Sequence, residues 1–273
     1  MSRRLLILVS NDDGHRAGGI RLLAAALRTI GDVVICAPEN EQSTTSHSLT
    51  LTRPLRLREV TAGEFAVDGT PADCVYVALN AGTRVLPRAP DLVVSGMNHG
   101  LNLGTDVFYS GTVAAAREGA LRGIPAMAVS ADMGVDPTAA GEISARLAQA
   151  LADLAPAPPD RGPPGGSLSF QLRVPAPLIN VNIPAGRGWD AVPTRLGWRL
   201  YEDLVEFRRD PRGREYLWIG GGGVRHETLA GSDTEAHDAG KVSVTPLLLD
   251  LSAAEGSVLA QRLAAAAAQS NAT

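Results

Sequence analysis

The chain has 273 residues, of which 45% are hydrophobic and 20% charged. That is enough apolar material for a packed core and excludes wholesale disorder. With 29 Gly and 18 Pro it is loop-rich without low complexity, and its length allows one large domain or two small ones. A formal charge of −4 argues against a binder of nucleic-acid polymers.

Residues 4–9 (RLLILV) form a short continuous apolar run, expected as a buried parallel strand. The run is shorter than the hydrophobic part of a signal peptide and ends in Asn-Asp-Asp. No stretch is long enough to span a membrane, so a soluble cytoplasmic protein is expected. Ile20, Leu23, Ala24, Leu27 and Ile30 recur at helical spacing, with Gly31 as the stop. DVVICA (32–37) is a second buried strand, so a β-α-β unit opens the chain and sets a parallel sheet.

Residues 39–69 read as a polar loop followed by short strands within LTLTRPLRLREV and EFAVDG. Thr70-Pro71-Ala72-Asp73 starts a helix, with Thr70 as N-cap and Pro71 at the first position. DLVVS (91–95) is a third parallel strand, and 96–109 a Gly/Asn-rich loop. Ser110-Gly111-Thr112 opens a helix ending near Gly123, followed by the strand PAMAVS (125–130). Ile143, Leu147, Leu151 and Leu154 mark a further helix; 156–166 (PAPPDRGPPGG) is a break, and LINVNI (178–183) another strand. Beyond it, residues 204–209 and 214–219 flank Asp210-Pro211-Arg212-Gly213 as a hairpin, and 252–268 form a C-terminal helix. The expected division is a catalytic α/β core over 1–185 and a hairpin-plus-helix arm over 186–273, packing on the core or on a partner subunit.

Cys36 and Cys74 lie in apolar runs and read as reduced, buried thiols. The single lysine, Lys241, precedes Val242, which excludes a Gly-Lys-Ser/Thr phosphate loop. No G-x-G-x-x-G dinucleotide fingerprint is present.

Ligands of doubly wound sheets bind beyond the carboxyl ends of the strands. Those ends carry Asn11, Asp12 and Asp13; then Ser43, Thr44, Ser46, His47 and Ser48; then Asn98 and His99. Adjacent carboxylates are costly unless a cation neutralises them, and an oxygen-only donor set suits Mg²⁺ or Mn²⁺ rather than zinc. The plain alternative is that Asp12 and Asp13 make a turn or cap the next helix. Ser110, Gly111 and Thr112 at a helix N-terminus, with Asn98 and Asn102 in the preceding loop, make a phosphate cradle; an ordinary N-cap is its plain alternative. Ion and cradle together imply phosphate-ester hydrolysis. His47 and His99 are the two candidate proton donors.

LVSNDDG, APENEQSTTSHSLTLTRPL, GTPADCVYVAL, DLVVSGMNHGLNLGTDVFYSGTVAAAREG, INVNIP, RRDPRGREYLWIGG and SDTEAHDAGKVSVTPL resemble, in the same order, the SurE family of metal-dependent 5′-nucleotidases. The resemblance implies a Rossmann-like, mostly parallel sheet flanked by helices. It also implies one divalent cation per subunit, Mg²⁺ or Mn²⁺, and hydrolysis of nucleoside 5′-monophosphates, with 3′-nucleotides and short polyphosphate as further substrates. It places the metal ligands on Asp12, Asp13, Ser43 and Asn98, and the phosphate contacts on Asn102, Ser110, Gly111 and Thr112; Asn11 is counted with the substrate-binding residues. A homodimer or homotetramer exchanging the hairpin and C-terminal helix is implied as well. The chain departs from the family pattern at Gly18, where a proline is usual, and at Thr44, where a glycine is common. Its 156–166 insertion is also longer than usual. The other functions to weigh are a different Rossmann-like metal phosphatase, such as the haloacid-dehalogenase type whose Asp-x-Asp motif is missing here, and a nucleotide-binding protein without hydrolysis.

Overall fold

The computed structural model describes residues 4–156, 176–202, 205–220, 223–227, 229–252 and 256–269. In chain order the elements are β1 (Leu5–Ser10), α1 (Gly18–Leu27), β2 (Gly31–Pro38), β3 (Leu57–Thr61), β4 (Glu64–Val67), α2 (Pro71–Asn80), β5 (Leu92–His99), α3 (Gly111–Leu121), β6 (Ala126–Ala131) and α4 (Pro137–Leu154). The second half adds β7 (Leu178–Ile183), β8 (Ala191–Pro193), β9 (Trp198–Tyr201), β10 (Val205–Arg209), β11 (Glu215–Ile219), β12 (Val224–Glu227), α5 (Asp233–Asp238), β13 (Val242–Leu247) and α6 (Ser257–Gln269).

Among the described residues nine strands form one sheet in the order β3-β4-β2-β1-β5-β6-β7-β13-β8. β4, β2, β1, β5, β6 and β7 are mutually parallel. β3 and β13 run antiparallel to β4 and β7 respectively. The chain leaves β1 toward β2 and β4, then returns to the other side of β1 as β5. This reversal makes the carboxyl ends of β1 and β5 the topological switch point, where such sheets open a crevice.

Both faces of the sheet are covered, which is why β1 reads as an unbroken apolar run. Leu6 and Leu8 pack under α2 and α3 with Cys74, Val75 and Val113, while Ile7 and Val9 pack under α1 and α4 with Ile20, Leu23 and Ile143. Thr70 caps α2 in a reciprocal box: its hydroxyl accepts from the Asp73 N–H, and Asp73 accepts from the Thr70 N–H. Cys36 and Cys74 are free and buried, as expected.

Several boundaries differ from expectation. Gly31 begins β2 instead of ending α1, whose last helical residue is Leu27. β5 does not end at Ser95. Its register with β6 slips between Ser95 and Asn98, and pairing then resumes with Asn98 opposite Ser130. Beyond residue 185, β8 and β13 complete the nine-stranded sheet, while among the described residues β9–β12 form two separate two-stranded ribbons. β13 escapes a reading by apolar runs because Ser243 and Thr245 alternate with its valines, and both are buried. They face Asn182 and Asn180 of β7 in register. Residues 157–175, with most of the Pro/Gly insertion, lie outside the described residues.

α1 crosses β5 very closely at Gly19. A Cβ built there would lie 2.0 Å from the Met97 carbonyl oxygen, which is backbone and cannot rotate away. Gly19→Ala is therefore expected to destabilise the protein by about 1–3 kcal/mol, the usual range for overpacking. The urea midpoint reads this directly, and an unchanged midpoint would contradict the close crossing.

Candidate active site

The carboxyl ends of β1 and β5 open on a cavity of about 1160 Å³, lined among others by Asp12, Asp13, Ser43, Asn98, Asn102 and Ser110. Five segments of chain thus bring oxygen donors to one crevice, at the switch point of the sheet.

Asp12 is buried at the end of β1 and sits on the first turn of α3. Its two carboxylate oxygens accept from the Thr112 N–H at 3.0 Å and the Thr112 hydroxyl at 2.5 Å. Burial pushes its pKa up to about 6, and the Asp13 charge adds to the rise against the lowering effect of Thr112. Asp13 is also raised, chiefly by burial, although the His99 backbone N–H reaches it at 3.4 Å. Each Asp12 oxygen keeps a further lone pair for a cation.

Asn98 donates its amide Nδ2 to the Gly100 carbonyl at 2.9 Å, which leaves Oδ1 as the atom it could offer a cation. Ser43 is exposed, and its hydroxyl donates to Glu41 Oε1 at 2.7 Å. The Ser43 loop is fixed at both ends. Gln42 N–H donates to the Asp12 carbonyl, and Ser46 donates through N–H and Oγ to the carbonyls of Tyr109 and Phe108. Thr44, where a glycine is common in the family pattern, has φ +59°, a left-handed conformation that suits glycine better than a β-branched residue. Gly18 opens α1 after Ala17 (φ −60°, ψ 145°), so the turn forms without the proline usual there.

Asn102 is held by a polar row across the sheet. Asn98, Ser130, Asn182 and Ser243 stand opposite one another on β5, β6, β7 and β13. From this face Asn182 Oδ1 accepts the Asn102 N–H at 2.8 Å, and Ser130 Oγ accepts from Asn102 Nδ2 at 2.7 Å. Asn180 and Asn182 both donate to the Asn102 carbonyl. The alternating Asn residues in LINVNI were the sequence signal for this support, hidden inside an apolar strand.

Three residues expected at the phosphate stand behind the cavity wall. Asn11 is fully buried and donates to the Gly14 carbonyl, holding the turn. Thr112 is fully buried and gives both of its donors to Asp12. Gly111 packs on Asp12: a Cβ there would lie 2.8 Å from Asp12 Cβ. Ser110 is both the N-cap of α3, accepting from Val113 N–H, and a cavity residue. The anion at this helix N-terminus is Asp12 itself, so the cradle is narrower than the sequence implies.

His99 lines the cavity, whereas His47 pairs with the buried Glu118 of α3 at 2.9 Å. Glu41, Asp106, Tyr201 and Glu202 also line the cavity and were not singled out from sequence. Asp106 accepts from Arg199 at 2.6 Å and the Tyr201 hydroxyl at 2.7 Å, and burial together with Asp106 pushes the Tyr201 pKa up to about 12. Asp233 of α5 binds the N–H groups of Gly104 and Gly197, tying the Gly/Asn loop to the strand that carries Arg199. No sequence spacing announces either contact, because the partners are more than ninety and more than thirty residues away.

Among the described residues no helix is long and apolar enough to cross a membrane. The family model described as Survival protein SurE matches residues 7–203. A 5′-nucleotidase SurE of Sorangium cellulosum is 62% identical, over 96% of this chain and 96% of its own length. One from Geobacter metallireducens is 46% identical, over 90% and 92%. The crystal structure of the SurE protein from Aquifex aeolicus superposes with a TM-score of 0.75 at 34% identity, covering 94% of this chain and 99% of the other. Matched over most of its length by model, relatives and fold, this chain belongs to the SurE family.

Proposed function

We propose that the chain hydrolyses nucleoside 5′-monophosphates to nucleoside and phosphate, using one divalent cation, Mg²⁺ or Mn²⁺, per subunit. The names of its relatives supply the reaction class. The observation that carries the metal requirement is electrostatic: Asp12, Asp13, Glu41, Asp106 and Glu202 line the cavity, and among the described residues no Lys or Arg does. A phosphate dianion cannot approach such a wall unless a cation offsets the charge. The donors of Asp12, Asp13, Ser43 and Asn98 are all oxygen, which fits a hard ion and not zinc.

Held there, such an ion supplies Lewis-acid polarisation of a phosphoryl oxygen and lowers the pKa of water. The protein's own groups do the rest. Asp12 and Asp13 anchor the charge balance. Thr112 and Gly111 position Asp12, and Asn11 holds the Asp-Asp-Gly turn through Gly14. Ser110 keeps its hydroxyl hydrogen for a phosphoryl oxygen, since Val113 uses only its lone pair. Asn102 keeps one amide hydrogen and Oδ1 beside it. His99 is the group placed to protonate the departing 5′ oxygen. Tyr109, Val205 and Ile219 give the cavity an apolar side, which suits a nucleoside more than bare phosphate. 3′-Nucleotides and short polyphosphate would meet the same ion and hydroxyls.

A homodimer or homotetramer is proposed from the arm. The β10–β11 hairpin leaves Phe207, Leu217, Trp218 and Ile219 exposed, with Ile219 at 83%, and α6 exposes Leu259 and Leu263. Apolar faces of this kind are usually covered by another subunit. Light scattering on the full chain is expected to give a dimer or larger; a monomer at micromolar concentration would end this part of the reading.

Chelator-treated protein should release no phosphate from AMP and should recover on reloading with Mg²⁺ or Mn²⁺. Asp12→Asn should lower kcat by about 10³-fold or more with the fold intact, as loss of a central catalytic group does. Full turnover in chelator, or in Asp12→Asn, would refute the assignment.

The raised Asp12 pKa has a consequence for stability. Between the unfolded value of 3.8 and about 6, the unfolded chain releases a proton that the folded one retains. In cation-free protein this one group therefore lowers stability as pH rises through that window, by about 3 kcal/mol in all, with no further loss above it. Thermal melts in chelator are expected to show this fall in wild type and to lack it in Asp12→Asn; parallel pH profiles would contradict it.

A further inference from the structure

His226 of β12 and His237 and Asp238 of α5 each offer one ligand atom within 4.8 Å of the others. Asp238 Oδ1 lies 2.8 Å from His226 Nδ1 and 3.3 Å from His237 Nδ1. In a tetrahedral shell with bonds of about 2.0–2.1 Å, ligand atoms stand about 3.3 Å apart, so this spacing needs little adjustment. The two imidazole rings are 5.8 Å apart and nearly perpendicular, so both edges can turn toward one point.

A second, independent observation concerns the other side of His237. Its Nε2 lies 3.1 Å from Asp132 Oδ2, and Asp132 is itself anchored to β7 through its N–H and the Ile183 carbonyl. With Nε2 turned to Asp132, Nδ1 is the ring nitrogen that faces Asp238 Oδ1 and the His226 side. A carboxylate behind a ligating histidine is also the arrangement that fixes tautomer and ring orientation at metal sites.

We propose that His226, His237 and Asp238 bind a Zn²⁺ ion, oriented by Asp132, at a site separate from the oxygen-lined cavity. Two imidazoles and one carboxylate favour zinc over Mg²⁺, whereas the cavity's all-oxygen set favours Mg²⁺ or Mn²⁺. The two sites therefore sort their ions by donor chemistry. The zinc would tie the β9–β12 ribbon to the core: β12 carries His226, and α5 packs on β13. β9 in turn carries Arg199 and Tyr201, the partners of Asp106 in the cavity wall.

The test uses the full chain, stripped by chelator, saturated with Mg²⁺ and titrated with Zn²⁺ by calorimetry and thermal melting. Wild type is expected to bind one Zn²⁺ equivalent more than His226→Gln/His237→Gln, and to show a zinc-dependent rise in Tm that this variant lacks. Asp132→Asn, which keeps every ligand, is expected to retain the equivalent with affinity about 10–100-fold weaker. Mg²⁺-supported phosphate release should be the same in all three, which separates this site from the catalytic one. Equal zinc stoichiometry and an equal Tm rise in wild type and the double variant would overturn the proposal.

Discussion

The buried carboxylate of Asp12 is the contact on which the site depends. An ionised carboxylate at this depth is costly unless it is hydrogen-bonded, and Thr112 supplies two bonds from the first turn of α3. That geometry requires β1 and α3 to approach until no side chain fits between them, which is why residue 111 is glycine. A Cβ there would meet Asp12 Cβ at 2.8 Å, Asp12 Oδ2 at 3.0 Å and Pro71 Cγ at 3.1 Å. The bonds only partly offset burial, as the raised pKa shows. On the proposed reading, a cation held at Asp12 and Asp13 would remove the remaining deficit.

The sheet topology then decides what stands beside Asp12. Because the chain reverses between β1 and β5, the Asp-Asp turn and the Asn98–His99 segment are neighbours although they are more than eighty residues apart. The register slip in β5 carries Asn98 to a position opposite Ser130 and so joins it to the row through Asn182 and Ser243. Polar groups inside a sheet are tolerated when each finds a partner. Here Ser130, Asn180 and Asn182 find the Asn102 backbone and amide, and the loop between Gly100 and Gly104 gains the rigidity of the strands below it.

These particulars show what the sequence could reveal. β1, α1, β2, α2, α3, β6, α4 and β7 were legible because each carries a local signal: an apolar run, a 3.6-residue stripe or a cap. The strand-end oxygens were legible because topology alone places them at the crevice. β13 was not, since its alternating Ser and Thr are buried polar residues whose partners lie on β7. Nor were Asp106 and Asp233, whose importance comes from contacts set only once β9 and α5 fold back on the core. Thr112 shows the same limit: nothing local says that its donors are taken by a residue one hundred positions earlier.

The Ser43 loop shows how an exposed residue of the cavity is held in place. Ser43 has no burial to fix it, and its hydroxyl touches only Glu41 among the described residues. Rigidity comes instead from conformations that a free loop would avoid. Thr44 and Ser46 both have positive φ, at +59° and +52°, each costing roughly 1–2 kcal/mol for a residue with a Cβ. Such strain persists only where the surroundings over-determine it. Here the Asp12 carbonyl clamps one end, and the carbonyls of Phe108 and Tyr109 clamp the other. Those same two anchors bracket the carboxylate and the α3 N-terminus, so the strained loop is referenced to both. A glycine at 44 would remove strain but would also free the unfolded loop to sample more states. The β-branched threonine narrows those states.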